Sequence, residues 1–219
     1  MISALVGLPF WSSARSALIH ADLHAGNLLV THDDRLAVLD WSLTLRLSKT
    51  DRETLVSVIV GGLTLDAERI AHAVAMLSGI PANDPNLVRA VERALDRVAV
   101  EGRFPGFVWL LEFLDGLALE TPTGFHEDFV LFRKTWFTLS DVVSDVAAMH
   151  SPDLPLMAVA LRRFMEELPS RLFAPPRARN FSTHLSNEEL MQALSSAWYA
   201  PMRCCARYWL RSRVLASAD

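Results

Sequence analysis

His20-Ala21-Asp22-Leu23-His24-Ala25-Gly26-Asn27, then Leu28-Leu29-Val30, a polar turn His32-Asp33-Asp34-Arg35, Leu36-Ala37-Val38-Leu39 and Asp40-Trp41-Ser42, is the stretch that decides the reading of this chain. Two short apolar runs around a polar turn read as a β-hairpin over residues 28–39. Folding that ribbon back brings Asp40 beside Asn27. An isolated Asp-x-x-x-x-Asn means little, because polar residues gather in loops. The weight lies on the joint pattern: a polar loop, a ribbon, and a carboxylate at the ribbon's far end.

Phosphoryl transfer needs that combination. A carboxylate must stand beside the hydroxyl or water that attacks the γ-phosphate, and oxygen ligands must hold magnesium against the phosphates. Protein kinases supply the first from a loop Asp, a metal ligand from an Asn five residues later, and the main metal ligand from an Asp just after a hairpin. Asp22, Asn27 and Asp40 stand at those places.

The loop resembles the His-x-Asp-x-His-x-x-Asn catalytic loop of the ABC1/AarF/UbiB atypical kinases. Arg35–Asp40, Leu45-Arg46-Leu47-Ser48 and Asp51-Arg52 continue the likeness, and Leu131-Phe132-Arg133-Lys134-Thr135 with Thr138-Leu139 is similar to a later helix of the family. The resemblance spans roughly residues 17–150. It implies that Asp22 is the catalytic aspartate (catalytic loop 19–27), that His20 holds the loop backbone, that His24 is a family-typical loop histidine, and that Asn27 and Asp40 bind magnesium and the nucleotide. ATP and Mg²⁺ are the implied cofactors. The implied activity is phosphoryl transfer or ATP hydrolysis linked to ubiquinone or other isoprenoid-lipid metabolism. One departure is plain: Asp40-Trp41-Ser42 stands where the family usually has Asp-Phe-Gly. Aminoglycoside and choline phosphotransferases share a similar loop and often have Asp-Trp, but their likeness ends soon after it.

Kinase-like folds grip the α- and β-phosphates with a lysine from an N-terminal β-lobe, and the family's Lys-x-Gly-Gln signature lies upstream of the loop. Only 19 residues precede His20, and none is lysine; Lys49 and Lys134 are the only lysines. The expectation is a C-lobe that depends on a separately encoded N-lobe and acts on an isoprenoid-lipid or small-molecule substrate. The competing expectation is a non-catalytic remnant or binding module that keeps the loop.

Outward from the loop, the pattern is helical. Residues 2–18 read as a short apolar helix. Ser48–Asp51 is a capping box, Asp66–Leu77 a helix, and Asp84-Pro85 an N-cap with proline at N1. Further helices are expected from Pro105 to Leu119, Glu127 to Ala148 and Leu156 to Phe173. Ala174–Ser182 is a linker, and Ser186–Glu189 caps a last helix that Pro201 should break or kink. The fold expected is mainly α: a protein-kinase-like C-lobe with one small β-hairpin over residues 1–150, and a helical extension over 151–219 with its linker near 174–182.

Composition excludes more than it selects. Apolar residues make up 51% and charged residues 21% of 219, and the formal charge is −4, so nothing draws nucleic acid electrostatically. Cys204 and Cys205 are adjacent, which suits neither a disulfide framework nor zinc. No signal-peptide pattern and no uncharged apolar run of roughly 18–20 residues is present. The location expected is cytoplasmic, or peripheral on the inner face of a membrane. His20, Asp22 and His24 on an extended segment also suit a metallohydrolase, which would draw further ligands from His72, His126, His150 or His184. The arginine- and aromatic-rich end, Trp198 to Arg213, reads as a surface helix in preference to a membrane or nucleic-acid contact.

Overall fold

The helix expected over residues 2–18 ends early. In the computed structural model of the chain, which describes residues 1–121, 124–146 and 151–216, a single π-turn (Ser3–Gly7) runs into α1 (Leu8–Phe10) and stops. Ser16–His20 then forms a strand, β1, whose Ala17 and Ile19 are buried while Leu18 is exposed. This alternation fits a half-buried strand and not a helix. Its partner is β4 (Thr44–Ser48), antiparallel, with Ser16 opposite Ser48 and His20 opposite Thr44. Leu45 and Leu47 face inward by the same alternation.

Between them lies the expected ribbon, β2 (Leu28–Val30) against β3 (Leu36–Val38), with Leu28 opposite Val38. The turn is tied locally. Thr31 N–H donates to Arg35 O at 2.8 Å, and Asp34 takes a left-handed φ of 56°. Asp33 accepts from the Thr31 hydroxyl and the Arg35 guanidinium, which together hold its carboxyl below the usual range. The described residues are thus mainly helical, with two small two-stranded sheets among them where one hairpin was expected.

The chain forms two compact units, each drawn from two stretches: Met1–Arg52 with Phe125–His184, and Glu53–Gly124 with Leu185–Asp219. In the first, both sheets are joined by α6 (Glu127–Val146) and α7 (Asp153–Arg171). Phe10, Ile19, Leu45, Phe132, Trp136 and Leu156 are among its buried residues. α7 packs on the opening turn, where a Cβ on Gly7 would meet Val159 and Leu156 at 3.2 and 3.3 Å. The helix expected to reach Ala148 is described to Val146; Ala147–His150 lie outside the described residues.

In the second unit the helices read from sequence form as expected. Helix α2 (Lys49–Thr64) opens on the Ser48–Asp51 box and continues into this unit. Asp66 caps α3 (Ala67–Ser78) and Asp84 caps α4 (Pro85–Ala99), while α5 (Phe107–Glu120) follows Pro105. A Cβ on Gly62 would come within 2.7 Å of Pro105 and 2.9 Å of the Trp109 ring, so only glycine admits that approach. The Ser186–Glu189 box starts α8 (Asn187–Ala216), which is not broken at Pro201. Arg203 donates to Thr64 O and Arg207 pairs with Glu92 and Asp96. Met191, Leu194, Trp198, Met202 and Trp209, at helical spacing, stay exposed. The side chains of Arg211 and Arg213 lie outside the described residues. Among the described residues no helix is long and apolar enough to cross a membrane.

Candidate active site

β1 delivers His20 to the start of the loop, and His20 is only 1% exposed. Its Nδ1 accepts the Asp22 backbone N–H at 3.1 Å. That acceptance leaves the proton on Nε2, which donates to Leu39 O at 3.0 Å. Both ring nitrogens are therefore committed to backbone. The Trp41 ring covers the imidazole edge-on, with centroids 4.9 Å apart. His20 acts as a clamp joining the loop to the far end of the ribbon.

The second clamp is Asn27. Its Nδ2 donates to Asp22 O at 3.0 Å, and its own backbone carbonyl accepts Leu39 N–H at 2.9 Å. The latter bond extends the β2–β3 ladder by one pair and leaves Asp40 as the next residue. The amide must present nitrogen to the Asp22 carbonyl, so Oδ1 is the atom left to meet a cation.

His24 shapes the turn between these two. Its Nδ1 accepts Gly26 N–H at 3.1 Å and caps the 3-10 turn Ala25–Asn27. A Cβ on Gly26 would sit 3.1 Å from the His24 ring. With Nδ1 accepting, the neutral ring carries its proton on Nε2, which lies 3.5 Å from Asp22 Oδ2. The other oxygen of Asp22, Oδ1, lies 3.7 Å from Lys134 Nζ on α6.

Asp40 has a left-handed φ of 48°. A non-glycine residue in that region is uncommon and points to a backbone over-determined by its surroundings. Here the surroundings are the two bonds to Leu39. Ser42 then turns back on the carboxylate: its side chain and its backbone N–H (3.3 Å from Oδ1) hold the Asp40 carboxyl below its ordinary range. Serine in place of glycine thus supplies a hydroxyl to the carboxylate that was expected to bind metal. A carboxylate held ionised and an amide whose oxygen is left free are donors of the type hard divalent cations take, so the chemistry of these two residues suits magnesium.

The structure brings Asp22, His24 and Asn27 onto one turn and ties His20 and Asn27 to the residue before Asp40. It does not favour the metallohydrolase reading, because His20 has no nitrogen left for a metal. His184 is buried away from the loop and donates from Nε2 to Phe10 O at 2.7 Å. His150 lies outside the described residues. A cavity of about 440 Å³ in the second unit, lined by Ala71, His72, Val88 and Glu92, includes none of the site residues.

Several contributors were not singled out from the sequence. Ser42 and Trp41 were legible only as departures from Asp-Phe-Gly. Lys134 carried a signal, being one of two lysines, but nothing local ties it to Asp22. Arg52, fully buried, donates from Nη1 to Phe10 O (2.9 Å) and Ser12 O (2.7 Å), and from Nη2 to Ala14 O (2.5 Å). It pins the segment that leads into β1.

Residues 2–74 match the family model described as ABC1 atypical kinase-like domain, the family that the loop resembles. The match takes in 73 of the 219 residues, including the whole loop, both sheets and α2. It begins before residue 17, where the resemblance starts, and the likeness at Leu131–Leu139 lies beyond its end. No curated protein and no solved structure matches the chain.

Proposed function

We propose that the first unit carries the phosphoryl-transfer residues of an ABC1-like, ATP- and Mg²⁺-dependent phosphotransferase or ATPase, linked to ubiquinone or other isoprenoid-lipid metabolism. The kinase-like family match supports the class; the lipid link rests on family resemblance. The single observation that carries the reading is the bond from Leu39 N–H to Asn27 O, because Asp40 is the residue after that ladder partner of the loop asparagine.

In this reading the acceptor, a hydroxyl or water, lies beside Asp22. Its oxygen forms a bond to the γ-phosphorus, its proton passes to Asp22, and the bond to the β–γ bridging oxygen breaks with the electron pair leaving on ADP. Asn27 Oδ1 and the Asp40 carboxylate would hold magnesium, which supplies charge neutralisation for the phosphate oxygens. His20 reacts with nothing; it keeps loop and ribbon in register.

The test is binding of ATP with Mn²⁺ as a magnesium substitute, read by the proton relaxation enhancement of water. The 219-residue chain should bind the complex weakly, in the millimolar range, because no N-lobe lysine grips the phosphates among the described residues. Asp40→Asn and Asn27→Ala should each weaken it about tenfold. Binding or hydrolysis of ATP that neither substitution alters would sink the site assignment.

A further inference from the structure

Lys134 is the basic residue whose position the function above does not use. Its ammonium lies 3.7 Å from Asp22 Oδ1, and its side chain is 57% exposed, so it is open to a ligand. Its helix is registered against the loop from two sides. Asp128, in the first turn of α6, accepts Arg46 N–H of β4 at 3.2 Å, and β4 is the partner of the strand that ends in His20. Two residues before Lys134, buried Phe132 stacks on Phe10 with ring centroids 6.2 Å apart. A lysine held this way is not one of a population of surface lysines: the chain has two, against nineteen arginines. The other, Lys49, is occupied by the carbonyl of Arg179.

We infer that Lys134 is a phosphate-contacting catalytic residue: its ammonium rests on Asp22 and turns to the transferring phosphoryl group when a nucleotide arrives. The inference rests on the proposed function. The chemistry favours the exchange. An exposed carboxylate in water holds an ammonium weakly, whereas a triphosphate offers several charged oxygens. Transfer of the contact stabilises charge on the phosphoryl oxygens and frees Asp22 Oδ1 to take the acceptor's proton. Lys134 neither gains nor loses a proton in the step written above. A structural salt bridge would instead keep Lys134 on Asp22 throughout.

Having two lysines makes the test direct. In chain labelled with ¹³C and ¹⁵N at lysine, the ¹³Cε–¹⁵Nζ correlations comprise two signals, and Lys134→Arg identifies one by deleting it. Magnesium tripolyphosphate, at millimolar concentration, should shift the Lys134 signal and leave Lys49 in place. Lys134→Met should weaken tripolyphosphate binding about tenfold, with Lys134→Arg recovering most of it and the thermal midpoint unchanged in both. If tripolyphosphate binds in an Asp40-dependent way while the Lys134 signal stays still and Lys134→Met binds equally well, the inference fails and the proposed function survives. If the wild-type chain shows no binding and neither lysine moves, both fail together.

Discussion

β1 joins two polar constellations that the fold treats in opposite ways. Behind it, the Arg52 guanidinium and the His184 ring are buried, and their donors converge on the carbonyls of residues 10–14. In front of it, the side chains of Asp22 and His24 are substantially open to solvent, and Asp40 is exposed. The rear set donates to backbone and presents nothing to a ligand. The front set keeps its carboxylates open while its backbone is bonded: His20 and Asn27 fasten the loop to Leu39. Open oxygens are placed accurately only when the chain carrying them cannot drift, and the buried donors behind β1 supply that resistance.

The comparison breaks most visibly at Arg52. Arg52→Met strips the donors of a fully buried guanidinium from the carbonyls of Phe10, Ser12 and Ala14 at once and should cost about 3 kcal/mol or more, read as a lower urea midpoint at unchanged slope. A cost under 1 kcal/mol, roughly that of an ordinary surface change, would mean the rear set is not a foundation.

His184 sharpens the same point through pH. Burial pushes its pKa down from 6.5 to about 4, and the backbone carbonyl of Phe10 only partly offsets that. The folded state therefore binds fewer protons than the unfolded chain between these values. Its contribution is fully present above pH 6.5 and is lost progressively as pH falls toward 4, up to about 3 kcal/mol in all. His184 also has a left-handed φ of 61°, which asparagine tolerates. His184→Asn should therefore flatten this part of the stability–pH curve, as measured by denaturant melts at a series of pH values.

The smallest effect is expected in front. His20→Ala removes two hydrogen bonds to backbone and should cost about 1–2 kcal/mol. Its signature is local: the Leu39 amide, which bonds Asn27 O, should exchange faster with solvent, while amides of α4 and α5 keep their protection. Unchanged exchange at Leu39 would show that the ribbon holds itself without the histidine.

Helices and site were legible for different reasons. The capping boxes at Ser48 and Ser186, the N-cap at Asp84, and the ribbon at 28–38 are local patterns, closed by residues two to four apart or by a short turn, and they form as read. The polar loop was legible because its residue types and spacing suit one chemistry. The β1–β4 pair was not. Ser16–Ile19 looks like the tail of an apolar helix until Leu45 and Leu47 stand opposite it, and a five-residue strand has no stability without its partner. Pro201 was expected to break or kink α8, yet the helix is not broken there; its missing N–H removes one bond from a long ladder.

The order of residues from His20 to Ser42 by itself determined the loop, the ribbon and the carboxylate after it, because each is set by chemistry within a few positions along the chain. Only tertiary structure decided that Leu39 would be the partner His20 ties to the loop, that Ser42 would hold Asp40, and that Lys134 would face Asp22. Those contacts depend on which segments meet in space, and that is governed by burial of apolar faces such as those of Phe10, Phe132 and Leu45.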